Sequence, residues 1–171
     1  DFCLSRGLGD VYKRQLHQAA LYWVVFGVGA LVGPMAGGYL GDRFGFGRVL
    51  RLAFVVQAAC IALPLATSTA IGLGISAFII GALVPGIVAI MIGRTRELAP
   101  GDPEAQTAAW GWCTTAFAVG QAIAGYAFSY LFARSDNGYA ILFLIGAAAV
   151  LLALPIDLAF SPRRRTLRPS A

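Results

Sequence analysis

The residues with the most specific spacing lie in the stretch GGYLGDRFGFGRVLR, residues 37–51. It sets a carboxylate, Asp42, beside Arg43 and between glycines that permit backbone conformations closed to other residues. A carboxylate at such a turn accepts hydrogen bonds from the N-terminus of a neighbouring helix and from nearby guanidinium groups. The predicted chemistry is therefore non-covalent, a charge–dipole clasp between helices. The alternative is that Asp42 only caps a tight turn and that the arginines only orient the chain.

Catalytic motifs are incomplete throughout the sequence. The stretch GISAF at 74–78 lacks the last glycine of a G-x-S-x-G nucleophile turn, because Phe78 replaces it. His17 is the only histidine, which excludes an H-E-x-x-H motif and a histidine dyad. Cys60 and Cys113 lie in apolar segments, where cysteine is usually a small buried hydrophobe. We therefore predict no enzyme, no cofactor, no disulfide and no metal site.

The composition indicates what kind of element must position the clasp. The chain is 58% hydrophobic and only 12% charged, and its mean hydropathy is +0.75. A soluble domain of this size could not cover its surface with so few charges. The net charge of +5 could suggest nucleic acid, but the arginines stand at the ends of apolar runs and form no polar patch. The prediction is an all-α, polytopic helical bundle in a lipid bilayer, with no nucleic-acid partner.

Five apolar stretches have about the 20 residues that span a bilayer. They cover residues 16–40, 49–68, 70–92, 105–132 and 139–160. Together they predict a transmembrane domain over 16–162, followed by a basic tail at 163–171. The first and third connections and the tail carry nine arginines, against one between the fourth and fifth stretches. By the positive-inside rule these two connections and the C-terminus are cytoplasmic, so we expect a further helix before the first span.

Residues 1–15 differ from the rest of the chain. Their core, SRGLGDVYKRQ, holds three cations and one carboxylate within eleven residues. A signal peptide is excluded, because the apolar run that follows is too long and has no cleavage site. The string is the translation of the read-two adaptor of a transposase-based sequencing library. We therefore expect residues 1–15 to be a non-native, adaptor-derived segment, and the native part to begin near Leu16 in mid-gene.

The loop at 37–51 resembles a known family pattern. Four of its residues match the G-x-x-x-D-R/K-x-G-R-R/K loop of the major facilitator superfamily, namely Gly38, Asp42, Arg43 and Gly45. Phe46 and Gly47 stand where that pattern has basic residues, and the next cation is Arg48. The stretches VPGIVAIMIGRTRELAP and WGWCTTAFAVGQAIAGY are similar to the bacterial YbfB/YjiJ-type branch. The resemblance covers residues 16–160 and implies helices eight to twelve of twelve, a partial C-terminal six-helix domain.

The resemblance implies roles for two groups of residues at the same end of the bundle. A conformational gate is expected at Gly38, Asp42, Arg43, Gly45 and Arg48. Arg94, Arg96 and Glu97 end the third span and are either interfacial anchors or part of that gate. The first span also has a glycine face at four-residue spacing, formed by Gly29, Gly33, Gly37 and Gly41. Because the resemblance places this helix between the two halves of a transporter, we expect the partner of its glycine face outside the chain.

A candidate cavity for a solute comes from polar and kinked positions within the spans. Its predicted residues are Pro85, Gly86, Trp110, Thr114 and Gln121. Gln121 is a mid-span amide, which is costly when unpaired, and Thr114 lies on the same helix face two turns earlier. Pro85 frees a backbone carbonyl at membrane depth. The alternatives are that Gln121 bonds to an adjacent helix and that Pro85 only bends its own helix.

The predicted protein is the C-terminal part of a secondary transporter in the bacterial cytoplasmic (inner) membrane, moving a small-molecule solute by alternating access. Its expected partners are the lipid bilayer, the missing N-terminal half and the first helix of the C-terminal half. The alternative from another class is a non-transporting membrane assembly or sensor protein built on the same bundle. An intramembrane enzyme is a third alternative, disfavoured because no nucleophile and base are paired.

Overall fold

The computed structural model forms five α-helices, and residues 2–67, 69–134 and 138–160, which the structure describes, include no strand. The helices are α1 (Phe2–Phe44), α2 (Phe46–Ala66), α3 (Ala70–Leu98), α4 (Pro103–Arg134) and α5 (Gly138–Phe160). Each contains a segment long and apolar enough to cross a membrane, and that of α1 is Ala19–Phe44. The predicted all-α polytopic bundle is confirmed. The predicted tail at 163–171 lies outside the described residues.

The helices extend beyond the predicted spans mainly at their polar ends. α3 continues to Leu98 rather than ending at 92, and α1 extends back to Phe2 rather than beginning at 16. The difference at α3 has a physical reason. Hydropathy detects only the part of a helix that matches the hydrocarbon, whereas arginine, glutamate and leucine continue the helix into the polar interface.

Local capping explains where α3 and α4 begin. The Thr69 hydroxyl accepts a hydrogen bond from the Gly72 amide at 3.2 Å, which caps α3. The Asp102 carboxylate accepts from the Ala105 amide at 2.9 Å, and Pro103 occupies the first position of α4, where its missing N–H costs nothing. The short polar connection between α3 and α4 is therefore fixed by its own residues.

The closest packing in the bundle joins α1 to α3 through the glycine face of α1. A Cβ atom at Gly29 would overlap the backbone carbonyl of Phe78, and one at Gly33 would overlap that of Ala82. Only a residue without a side chain allows two helix backbones to approach this closely. We call this contact the glycine seam.

The seam is reciprocal, because α3 contributes its own glycines. A Cβ at Gly81 would overlap the backbone of Phe26 in α1, and Gly86 lies against the backbone of Gly33. The expectation that the glycine face of α1 has its partner outside the chain is therefore wrong. A glycine face signals a close approach, but it does not identify the helix that approaches.

α2 forms a small core together with α3. Val49, Leu50 and Ala53 of α2 are buried together with Ile90 of α3. Further along the same interface the Ser76 hydroxyl donates to the Cys60 carbonyl at 2.7 Å. That bond satisfies a buried hydroxyl inside an apolar environment, where an unpaired one is costly. α2 also packs against α5, which places α2 between α3 and α5.

α4 lies at the edge of the described bundle and contacts α3 and α5 at few positions. No residue of α4 is buried, and its large apolar side chains are exposed, including Trp112, Phe117, Ile123 and Tyr126. An apolar surface of this size suits lipid or another transmembrane helix rather than water.

The seam makes a direct prediction for stability. Gly33→Ala places a methyl group against the Ala82 carbonyl, so we expect a loss of about 1–3 kcal/mol in the free energy of unfolding, the usual cost of overpacking. Gly27→Ala is the matched control on the same helix, because a Cβ there has nothing within 4 Å. Thermal unfolding of the purified variants in detergent measures both. Equal melting temperatures for the two variants would contradict the seam.

Candidate functional site

The junction between α1 and α2 is a single residue, Gly45, with φ 88° and ψ 133°. Its amide donates to the Gly41 carbonyl at 2.8 Å, which closes the end of α1. Its own carbonyl accepts from the Val49 amide at 3.2 Å in the first turn of α2. A residue with a side chain is strained at this φ, so glycine is required for so short a turn.

Glu97, at the end of α3, ties this junction to the rest of the bundle. Its Oε1 accepts a hydrogen bond from the Phe46 amide at 3.0 Å, at the start of α2. Its Oε2 forms an ion pair with Arg94 Nη1, also at 3.0 Å. A carboxylate thus bridges a helix N-terminus and a guanidinium group, which is the clasp chemistry expected of Asp42. We call Phe46, Arg94 and Glu97 the Glu97 clasp.

Phe46 and Gly47, the two residues that depart from the family loop pattern, both pack around the Glu97 clasp. The Phe46 ring lies in a slot between α1 and α3, since a Cβ at either Gly41 or Gly93 would overlap it. At Gly47, a Cβ would stand 2.7 Å from Nη1 of Arg94. A basic side chain at position 46 would not fill this apolar slot as the Phe46 ring does. Any side chain at position 47 would displace the Arg94 guanidinium.

The other residues of the predicted gate lie at the surface. Asp42, Arg43 and Arg48 are all exposed. Arg43 donates to the Tyr39 hydroxyl at 3.3 Å, whereas Asp42 makes no hydrogen bond or ion pair with any part of the chain that the structure describes. Gly38 faces open space. The structure therefore joins Phe46, the residue after Gly45, to Glu97 and leaves Asp42 outside that contact.

A second polar contact at the same end of the bundle was missed in the sequence. Arg51 Nε of α2 and Asp157 Oδ2 of α5 form an ion pair at 2.6 Å. The two side chains are 32% and 17% exposed, so the pair is partly screened from solvent. The sequence offered only a weak signal, because two opposite charges 106 positions apart cannot be paired without knowing which helices are neighbours.

A cavity of about 440 Å³ lies between α2, α3 and α4, and we call it the α2–α4 cavity. Most of its wall is apolar, including Met91 of α3. Its aromatic and polar lining residues are Phe54, Gln57, Trp110, Cys113, Thr114 and Phe117. Its volume is within the range of about 300–1,000 Å³ that small-molecule sites occupy.

The structure brings together only two of the five residues predicted for a cavity. Trp110 and Thr114 both line the α2–α4 cavity. Gly86 lies instead at the glycine seam, and Gln121 is exposed on α4 outside the lining. Pro85 is half-buried and is not a lining residue. Gln57 was missed, although the argument applied to Gln121, an amide in the middle of a span, applies to it equally.

The family comparison agrees with the resemblance of the loop and helices. The family model described as "Uncharacterised MFS-type transporter YbfB" matches residues 12–158. The chain belongs to the YbfB-type branch of the major facilitator superfamily. The predicted resemblance is confirmed, and the match begins inside the segment expected to be adaptor-derived. No curated protein and no solved structure shows a significant similarity to the chain.

Membership in this branch makes the chain a multi-pass membrane protein of a transporter family. Within the YbfB-type chain, the Glu97 clasp and the Arg51–Asp157 pair lie at one end of the bundle, the end with the α1–α2 and α3–α4 connections. We call it the basic end.

Glu97→Gln tests the clasp. Removing the charge weakens both contacts of the carboxylate, so we expect local opening of the α1–α2 junction to become easier by about 1 kcal/mol. Trypsin cleavage after Arg48 in detergent should then accelerate about fivefold, the factor that corresponds to that energy. Glu104→Gln, an exposed carboxylate in the first turn of α4, is the control. Identical cleavage rates in both variants would show that Glu97 does not hold the junction.

The Arg51–Asp157 pair is tested by exchanging its charges. Arg51→Asp and Asp157→Arg each place like charges together, and each should cost about 1–2 kcal/mol of stability because the pair is only partly exposed. The double variant Arg51→Asp/Asp157→Arg restores opposite charges, so its melting temperature should exceed those of both single variants. If the two losses simply add in the double variant, the residues do not interact.

Proposed function

We propose that the chain is part of a secondary active transporter of the bacterial cytoplasmic membrane, which moves a small solute by alternating access. The observation that carries the proposal is the exposed charge set of Asp42, Arg43 and Arg48 on the helix ends at the α1–α2 junction, which the Glu97 clasp holds in place. It is supported by membership in the YbfB-type branch.

Alternating access requires a contact that forms on one face of the membrane and breaks when two bundles rock apart. A charge set serves this purpose only if the loop that carries it keeps its shape while the contact changes. Gly45 fixes the turn by its backbone, and Glu97 anchors the start of α2. Asp42 stays exposed in the last turn of α1, available to a helix N-terminus or a guanidinium group of another part of the transporter.

In this proposal the basic end faces the cytoplasm, because its connections carry five of the chain's arginines. The contact partner of Asp42 is the N-terminal half of the complete gene product, and the first helix of the C-terminal half covers part of the exposed surface of α4. Such a helix would bury apolar side chains that α3 and α5 leave exposed.

The proposal predicts that Asp42 governs conformation. In the complete gene product, Asp42→Asn keeps the shape of the side chain but removes its charge, and should shift the balance between inward- and outward-facing states by about 1 kcal/mol. Reporter cysteines at Gly74→Cys and Met91→Cys, near opposite ends of α3, measure this by their rates of reaction with a membrane-impermeant maleimide. One rate should rise and the other fall.

Asp102→Asn is the matched control, because Asn caps a helix as well as Asp does. It should leave both reporter rates unchanged. Unchanged rates in Asp42→Asn as well would show that the loop is only a turn. Uptake of isotopically labelled solutes into proteoliposomes tests transport itself, and its absence for every solute would favour the non-transporting assembly or sensor protein.

A further inference from the structure

A groove with a volume of about 190 Å³ lies between α1 and α2, with α3 as its floor. We call it the α1–α2 groove. Every residue that lines it is either glycine or apolar. The lining residues next to α3 are buried, among them Gly37, Val49 and Ile90, whereas Leu40 of α1 and Leu52 of α2 are exposed at its rim. The groove therefore opens away from α3, toward the surroundings of the bundle.

Two arginines stand at the polar end of this groove. Side chains three or four positions apart on a helix share a face. Arg43 follows Leu40 by three positions on α1, and Arg48 precedes Leu52 by four positions on α2. Both arginines are exposed. The two side chains therefore flank the open side of the groove where α1 and α2 meet.

Neither guanidinium forms an ion pair within the part of the chain that the structure describes. Arg43 donates to the neutral Tyr39 hydroxyl at 3.3 Å, and the Arg48 side chain makes no hydrogen bond with a described residue. By contrast, Arg51 and Arg94 each have a carboxylate partner. Two positive charges at one end of an apolar groove favour a molecule that joins an anion to a hydrocarbon chain.

The length of the groove matches one leaflet of a bilayer. Gly33 lines the groove, and it is ten residues from Arg43, which is about 15 Å along the axis of α1. The hydrocarbon core of a bilayer is about 30 Å thick, so one leaflet contributes about 15 Å. An acyl chain that lies in the groove therefore places its own phosphate at the level of Arg43 and Arg48.

Asp42 lies on the opposite face of α1. It is two positions from Leu40, which is about 200° around the helix, and it shares its face with the exposed Met35. The proposed contact of Asp42 with the N-terminal half uses that opposite face. The exposed surface of α4, where the first helix of the C-terminal half is proposed to pack, is not part of the groove. The α1–α2 groove therefore stays open to lipid in the complete transporter.

We infer that the α1–α2 groove is a binding site for one anionic phospholipid. Part of an acyl chain lies against the apolar walls, and Arg43 and Arg48 hold the phosphate by charge-assisted hydrogen bonds. A headgroup with a net negative charge is preferred, because a zwitterionic headgroup brings its own cation close to the two arginines. The inference requires only that the chain is embedded in a bilayer, so it stands or falls independently of transport.

Titration of defined lipids into the purified complete gene product tests the inference, with the number of bound lipids read by native mass spectrometry. Dioleoyl phosphatidylglycerol is anionic, and dioleoyl phosphatidylcholine has the same acyl chains without net charge. The first phosphatidylglycerol should bind at concentrations about 25-fold lower than phosphatidylcholine, from about fivefold for each arginine. Equal binding of the two lipids would overturn the inference.

Glycerol 3-phosphate separates a lipid site from a site for a free phosphate, because it carries the anion without acyl chains. It should not displace phosphatidylglycerol at equal concentration, since the groove contributes to binding only through an acyl chain. Displacement at equal concentration would show that the arginines bind the anion alone, which would contradict a lipid site.

Single arginine substitutions locate the headgroup. Arg43→Gln and Arg48→Gln should each weaken the binding of phosphatidylglycerol about fivefold and leave that of phosphatidylcholine unchanged. Arg96→Gln is the matched control, because Arg96 is exposed at the same end of the bundle but lies six positions beyond Ile90, off the face of α3 that forms the floor. An equal loss in Arg96→Gln would assign the effect to general surface charge and overturn the inference.

Ala36→Phe tests the groove separately from its arginines. Ala36 lines the groove and is exposed, so a ring there occupies the space of the acyl chain and should weaken phosphatidylglycerol binding about tenfold. Ala59→Phe adds the same ring at an exposed alanine of α2 outside the lining and should leave binding unchanged. Unchanged binding in a monodisperse Ala36→Phe preparation would show that the groove is not the site. The exposed arginine variants keep the test decisive if Ala36→Phe does not fold.

Discussion

Backbone-to-backbone contact between α1 and α3 is the constraint on which the rest of the structure depends. Within a membrane, burying apolar surface between helices gains little, since lipid is as apolar as leucine, so association relies on close packing and polar contacts. The glycine seam supplies that packing along Gly29, Gly33 and Gly37, where carbonyls and small residues of α3 take the place of side chains.

The seam also determines the shape of the basic end. At its end, Gly41 of α1 and Gly93 of α3 leave the slot that holds the Phe46 ring. With the ring in place, the Phe46 amide lies within reach of Glu97, and the single residue Gly45 suffices to join α1 to α2. The helix end with the exposed Asp42 is therefore held by packing and by the Glu97 clasp rather than by Asp42 itself.

Hydropathy and charge were enough to predict the five spans, because both depend on composition along one helix at a time. They could not predict which helices are neighbours, and the errors follow from that. The partner of the α1 glycines was expected outside the chain, although α3 has its own glycines at 81, 86 and 93, whose irregular spacing gives no obvious face.

For the candidate site, the sequence likewise predicted the kind of contact but not the residue that makes it. The sequence identified a clasp of carboxylate, helix N-terminus and guanidinium, but assigned it to Asp42 because that residue fits the loop pattern. The structure makes this contact through Glu97, 51 residues from the amide that it binds. Gln57 was missed although it is a mid-span amide like Gln121, because hydropathy along one helix does not show which side of that helix faces other helices.

A cryo-electron microscopy map of the complete gene product in lipid nanodiscs would resolve the backbone separation of α1 and α3 and so test the glycine seam. We expect the Gly33 and Ala82 backbones to touch with no side chain between them, and the Phe46 ring to lie against Gly41 and Gly93. A map in which side chains or lipid separate α1 from α3, or in which Phe46 points into the bilayer, would contradict it.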